Sequence, residues 1–205
     1  MTKLDRAGRL TWSTFLGGAT SDFGQGIAVD RRHDVYVTGV AADGFPVTPG
    51  AAQPTFGGAQ DWFAAKLDRS GSSLDWATYL GGSDVDGSSP SLRVDRHGDA
   101  DVVGATASTD FPTTGDAFQP MNAGGFDLAI VQLDRRGRLR FSSYLGGSGD
   151  DDNAAGAPAL DARGNFYVGG VTSSVDFPVT PGAIQATYGG GDIDGLLARI
   201  GLAAH

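Results

Sequence analysis

The sequence predicts an all-β fold made by repeating one four-stranded antiparallel unit three times, and three observations carry that prediction. A β-rich run ending in Leu-Gly-Gly occurs as Leu10-Thr-Trp-Ser-Thr-Phe-Leu-Gly-Gly18, Leu74-Asp-Trp-Ala-Thr-Tyr-Leu-Gly-Gly82 and Leu139-Arg-Phe-Ser-Ser-Tyr-Leu-Gly-Gly147. Phe-Pro pairs begin at Phe45, Phe111 and Phe177, 66 residues apart. Glycine supplies 33 of the 205 residues without a collagen period, which calls for many tight turns.

Each unit reads as four short strands, a to d. In unit 1 they fall at about residues 26–30, 34–40, 61–68 and 73–80. Strand a closes at Asp30, Asp95 and Asp161; strand c opens at an Asp (61, 127, 194) and closes at Lys66-Leu67, Gln132-Leu133 and Arg199-Ile200. The a–b connections Asp95 to Gly98 and Asp161 to Gly164, and the c–d connections Asp5 to Gly8, Asp68 to Gly71 and Asp134 to Gly137, share the spacing Asp-x-x-Gly. Asp opens a type I turn and Gly supplies the positive φ that closes it, so these are hairpin turns. His33 takes the Gly place in unit 1 and is expected in the left-handed region.

Strand d carries Leu74, Trp76 and Leu80 on one face and Tyr79 on the other, so both faces are apolar. Sheets stacked between neighbours need that pattern, and it identifies the units as blades of a β-propeller type. Pro90 just before strand a of unit 2 and Pro158 in strand a of unit 3 predict irregular inner strands, because proline removes a ladder donor.

The whole chain is read as one repeat domain: unit 1 about 19–82, unit 2 about 83–147, and unit 3 about 148–201 plus the N-terminal strand 9–18. Unit 3 has no strand d after strand c, while the chain opens with one at 10–16, so the third blade is expected to be completed by the N-terminal strand, within the chain or between chains. Two chains sharing d strands would make six blades; a fragment of a longer propeller and an open stack are the other readings. Burying Trp12, Phe15 and Leu16 is the driving force for such completion.

A net charge of −9 argues against nucleic acid and anionic membrane surfaces as partners. Without cysteine there is no disulfide, thiolate nucleophile or zinc-thiolate site. The first residues contain no apolar stretch of signal-peptide length and no segment approaches a membrane span, so the chain as written is expected to stay in the cytoplasm.

Antiparallel connectivity gathers the d–a and b–c loops on one face, with Asp22, Asp84, Asp86, Asp150, Asp151 and Asp152, and with Asp43, Asp110 and Asp176 beside the Phe-Pro pairs. Asp150, Asp151 and Asp152 are candidate Ca²⁺ ligands, since hard cations take several oxygens, although the run does not match an EF-hand loop. The competing reading is that these side chains satisfy turn backbones. His33 and His97 belong to turns on the opposite face, and the chain offers no Ser-His-Asp pattern. Trp12, Trp76 and Phe141 share one repeat position and Phe15, Tyr79 and Tyr144 another, as packing between blades requires. Trp62 has no aromatic counterpart at Leu128 or Gly195 and is a candidate binding residue specific to this chain.

The run Tyr144-Leu-Gly-Gly-Ser-Gly-Asp-Asp151, the hairpin Leu160-Asp-Ala-Arg-Gly-Asn-Phe-Tyr-Val168 and the loop Asp176-Phe-Pro-Val-Thr-Pro-Gly-Ala183 together resemble the bacterial SBBP family, the "seven-bladed β-propeller" repeat. The resemblance implies a propeller, commonly within large secreted or surface-associated bacterial proteins, hence an extracellular or cell-surface setting. It implies no reaction. The expected function is a non-catalytic module, a scaffold or binding platform for a protein or carbohydrate ligand, without a required cofactor. The alternatives are an accessory fragment of an extracellular enzyme, or a propeller lyase or hydrolase with a central site. Strand a, which carries mainly Ile27, Ala28, Val29, Leu92, Arg93, Val94, Ala159 and Leu160, speaks against the last.

Overall fold

The computed structural model describes residues 1–87, 90–153, 156–161 and 165–201. Every regular element among them is a strand. β1 (Thr2–Leu4) and β2 (Leu10–Ser13) form an antiparallel pair. β3 (Phe23–Val29), β4 (Val35–Ala41), β5 (Asp61–Leu67) and β6 (Leu74–Leu80) pair in sequence order and make the first blade. β7 (Ser91–Val94), β8 (Ala100–Thr106), β9 (Asp127–Leu133) and β10 (Leu139–Leu145) make the second in the same order. In the third, β11 (Asp151–Asp152) and β12 (Ala159–Leu160) both pair with β13 (Phe166–Thr172), which pairs on its other side with β14 (Asp194–Ile200). The inner strand thus shrinks from seven residues to four and then to two short pieces, as Pro90 and Pro158 predict.

The turns follow their chemistry. Gly8, Gly71, Gly98 and Gly137 each donate N–H to the carbonyl of the Asp three residues earlier and sit at positive φ. His33 does the same at φ 65°. The turn from Asp161 to Gly164 lies outside the described residues.

Register explains why the central strands are buried on both sides. The even positions of β4 and β5 (Tyr36 and Val40; Trp62 and Ala64) pack with Ala100, Val102, Ala129, Val131 and Leu133 of the second blade. Leu128 and Ile130, at the corresponding even places of β9, pack with Phe166, Val168 and Leu196 of the third. Odd positions of the first blade (Val35, Val37, Phe63, Ala65, Leu67) receive Met1, Trp12 and Leu16. Each strand therefore presents alternate residues to the blade before it and the blade after it, the consequence of a two-residue side-chain period. Two bonds repeat the stacking: Trp12 Nε1 donates to the Arg69 carbonyl and Trp76 Nε1 to the Arg135 carbonyl, each 3.2 Å.

Completion of the third blade by the N-terminal strand within the chain is corrected by the pairing. β2 pairs with β1 and lies against the first blade, and β14 pairs with β13. The reason is that β1 and β2 are already a c–d pair. Lys3 stands opposite Trp12 as Lys66 stands opposite Trp76, and the same register break precedes Leu4↔Leu10 and Leu67↔Leu74. Phe15, which shares its repeat position with the buried Tyr79 and Tyr144, is left 102% exposed.

Candidate functional site

The long connections meet on one face, as antiparallel order requires. Asp110 Oδ1, in the b–c loop of the second blade, accepts N–H from Ser83 at 2.7 Å and its hydroxyl at 3.0 Å, and Asp176 Oδ1 does the same for Ser148 at 2.8 and 2.9 Å. Thr20 Oγ1 donates to the Asp43 carbonyl. The Phe-Pro loops are fixed from within their own blades: Phe45 N–H donates to Tyr79 Oη and Phe111 N–H to Tyr144 Oη, each 2.8 Å, and Tyr144 Oη donates onward to the Ser108 carbonyl. Burial raises the Tyr144 hydroxyl to about 12, so it stays a donor at any physiological pH.

Two aspartate positions recur in this face. One lies four residues beyond the second glycine of the Gly-Gly pair and folds back onto it: Gly18 N–H donates to Asp22 Oδ2, Gly82 N–H to Asp86 Oδ2, and Gly147 N–H to Asp151 Oδ2, at 2.6 to 2.8 Å. Hydroxyls of the next blade hold the same carboxylates: Thr106 and Ser108 on Asp86, Ser174 on Asp151. The other position is the first residue of strand c. Asp61 Oδ2 accepts from Gly57 N–H and Gln53 Nε2, Asp127 Oδ2 from Ala123 N–H and Gln119 Nε2, and Asp194 Oδ2 from Gly189 N–H and Gln185 Nε2. Gln53 and Gln119 also accept from Gly81 and Gly146 N–H through Oε1, tying the b–c loop to the end of strand d.

Asp61, Asp86, Asp127 and Asp151 are fully buried. Burial is the main cause that lifts Asp86 and Asp127 to about 7 and raises Asp61; donated N–H bonds from Gly57, Gly82 and Ala123 work in the opposite direction. The outer carboxylates behave oppositely, with the Ser83 and Ser148 N–H groups holding Asp110 and Asp176 below the usual range.

The run Asp150, Asp151 and Asp152 is not gathered around one point. Asp150 Oδ1 accepts from Phe126 N–H, Asp151 turns inward to Gly147 and Ser174, and Asp152 is raised by burial on the opposite side of a two-residue strand. Among the described residues no group of three or more His, Cys, Asp or Glu side chains stands where it could hold a metal ion.

Trp62 is corrected as a candidate for binding an outside ligand. It is 0% exposed, its Nε1 donates to the Gly87 carbonyl at 3.1 Å, and its ring lies 5.2 Å from that of Phe111. It packs flat on strand β8 at Gly104, where a Cβ would come within 2.4 Å of the indole. The sign in the sequence was its even position in a strand buried on both faces. His33 and His97 stand in the a–b turns, at the opposite end from the long loops.

These features define an all-β, β-propeller-type repeat protein whose blades are wired together by one recurring set of side chains. Residues 11–46, from β2 to the first Phe-Pro pair, match the model of the SBBP family, a β-propeller repeat. No curated protein matches the chain.

Proposed function

We propose that the chain is a non-catalytic propeller module, a scaffold whose blade faces stack on further blades and whose long-loop face is the surface offered to a protein or carbohydrate partner. The observation that carries this reading is the forward face of the third blade. Leu197 holds the repeat position occupied by Ala64 and Ile130, which are 2% and 0% exposed, yet Leu197 is 81% exposed. At the other end Ile27 and Val29, opposite Val37 and Val35 on the outward face of the first blade, are bare. The two faces are the open ends of the stack that the buried junctions build between blades, and in a solution of this chain the further blade comes from a second copy. β14 offers the β2 strand of that copy seven residues to pair with, where β1 offers three. Two chains joined this way at both ends make a six-bladed ring, because a head-to-tail contact closes when its rotation allows.

Support for the non-catalytic part is that the aspartates of the long-loop face are engaged in holding Gly and Ser N–H groups, as a framework needs. A setting outside the cell, as part of a bacterial surface or secreted protein, belongs to the same proposal and rests on the family resemblance. The test is solution mass by light scattering over a hundredfold range of concentration. The wild-type chain should approach twice its monomer mass and Leu197→Asp should remain monomeric with its fold intact by circular dichroism. A wild-type chain that stays monomeric throughout contradicts the reading.

A further inference from the structure

We propose that each complete junction between blades is closed by a single proton shared between two buried aspartates, Asp61 with Asp86 at the first and Asp127 with Asp151 at the second, so that the stack tightens in mild acid and loosens as the proton is lost. The geometry is the same in both places. A Cβ placed on Gly81 would lie 2.5 Å from both Asp61 Cγ and Asp86 Oδ2, and one on Gly146 would lie 2.3 Å from Asp127 Oδ1 and 2.7 Å from Asp151 Oδ2. Only glycine leaves the room, and the two carboxylates of each pair stand within about 5 Å of each other, inside the range where like charges oppose joint ionisation. Asp61 Oδ1 and Asp127 Oδ1 are buried without a hydrogen-bond partner, whereas the Oδ2 atom of each is fully used. A proton on that oxygen, donated to the facing carboxylate, satisfies the orphan atom and removes one of two buried charges.

The pair joins two blades. Asp61 opens β5 of the first; Asp86 is held by Thr106 and Ser108 at the end of β8 in the second. The charged groups that face the pair are carboxylates too: Asp110 of the b–c loop acts on Asp61, and the Tyr144 hydroxyl feels both Asp110 and Asp86. At the second junction Asp176 adds to the field on Asp127. The ion pairs among the described residues lie elsewhere, at Asp5, Lys66 and Asp134. Asp194 keeps the same Gln and N–H cradle on the open third blade, half of a pair awaiting its partner from a further blade.

The elevated values of Asp86, Asp61 and Asp127 agree with this arrangement. For an acid whose folded value exceeds its unfolded one near 3.9, the folded state holds more protons between the two. Stability conferred by the pair is therefore greatest at the acidic end of that window and declines as pH rises toward 7.

The test uses the full chain and two variants, Asp61→Asn and Asp86→Asn, melted from pH 5 to pH 8.5, with carboxyl-carbon NMR of aspartate-labelled protein. The wild type should melt several degrees lower at pH 8 than at pH 5. It should also show a carboxyl resonance that titrates near neutrality and is absent in Asp86→Asn. Asp61→Asn supplies an amide N–H that donates to Asp86 at any pH, so it should melt above the wild type at pH 8 and weaken the pH dependence by one proton. Equal lowering at every pH with an unchanged slope, or the absence of any carboxyl titrating above pH 6, overturns the proposal. A rise in the wild-type melting point at pH 8 on adding calcium chloride, reversed by chelation, also overturns it, because the cradle then holds a cation.

Discussion

Lys66 lies on β5 with its ammonium 3.0 Å from Asp34, 3.5 Å from Asp75 and 3.9 Å from Asp30, and 5.3 Å above the ring of Tyr36. Burial works against its charge, but the bond to Asp34 and the fields of Tyr36 and Asp34 outweigh that and leave it above its usual value. Removing one partner of a buried set leaves the others uncompensated. Lys66→Ala should therefore cost on the order of 3 kcal/mol in denaturant melts at pH 7, more than a surface lysine would. Asp101 makes the reverse case. It occupies the place of Tyr36 and Tyr167, is buried, and receives one bond from Gln132 Nε2 at 2.8 Å. Burial lifts it to about 7, so stability falls as pH rises from about 4 to 7. Asp101→Asn should leave the melting point at pH 5 nearly unchanged and add on the order of 2 kcal/mol at pH 8; equal effects at both pH values would remove Asp101 from the account.

At the scale of the strand, one packing rule decides which side chains are large. Trp62 fits between the first two blades because β8 has Gly104 beneath it, and Gly104→Ala should cost about 1–3 kcal/mol by forcing the indole off its site. A Trp62→Leu variant in the same background should recover much of that loss if the clash is the cause; urea melts of the single and double variants decide it. The strands and turns were legible in the sequence, since Asp-x-x-Gly spacing and the Leu-Gly-Gly runs depend only on local chemistry. Pro90 and Pro158 announced the shortened inner strands for the same reason. The buried role of Trp62 was not legible from its lack of an aromatic counterpart, because what it meets is a glycine 42 positions away in the next unit. The aspartate pairs were half legible. Their positions recur at the repeat spacing, and so do Gln53, Gln119 and Gln185, but the inward turn that separates Asp151 from Asp150 follows from the Gly147 N–H and the Ser174 hydroxyl.

For the whole molecule, the alternation of side chains along each strand carries the blade stack from β2 through β14 and leaves the Leu197 face of the third blade bare. The N-terminal strand was expected to complete the third blade; within the chain it closes on β1 instead, because three residues of β1 already stand where strand c ends. That leaves Leu197 on β14 and Ile27 and Val29 on β3 exposed, the faces that the proposed pairing between copies would cover. The most direct measurement is backbone hydrogen exchange of the wild-type chain at low and high protein concentration. The account predicts that amides of residues 194–200 and 23–29 gain protection together as concentration rises, while those of β8 and β9 stay equally protected throughout. Exchange in both end strands that is fast and independent of concentration would contradict it.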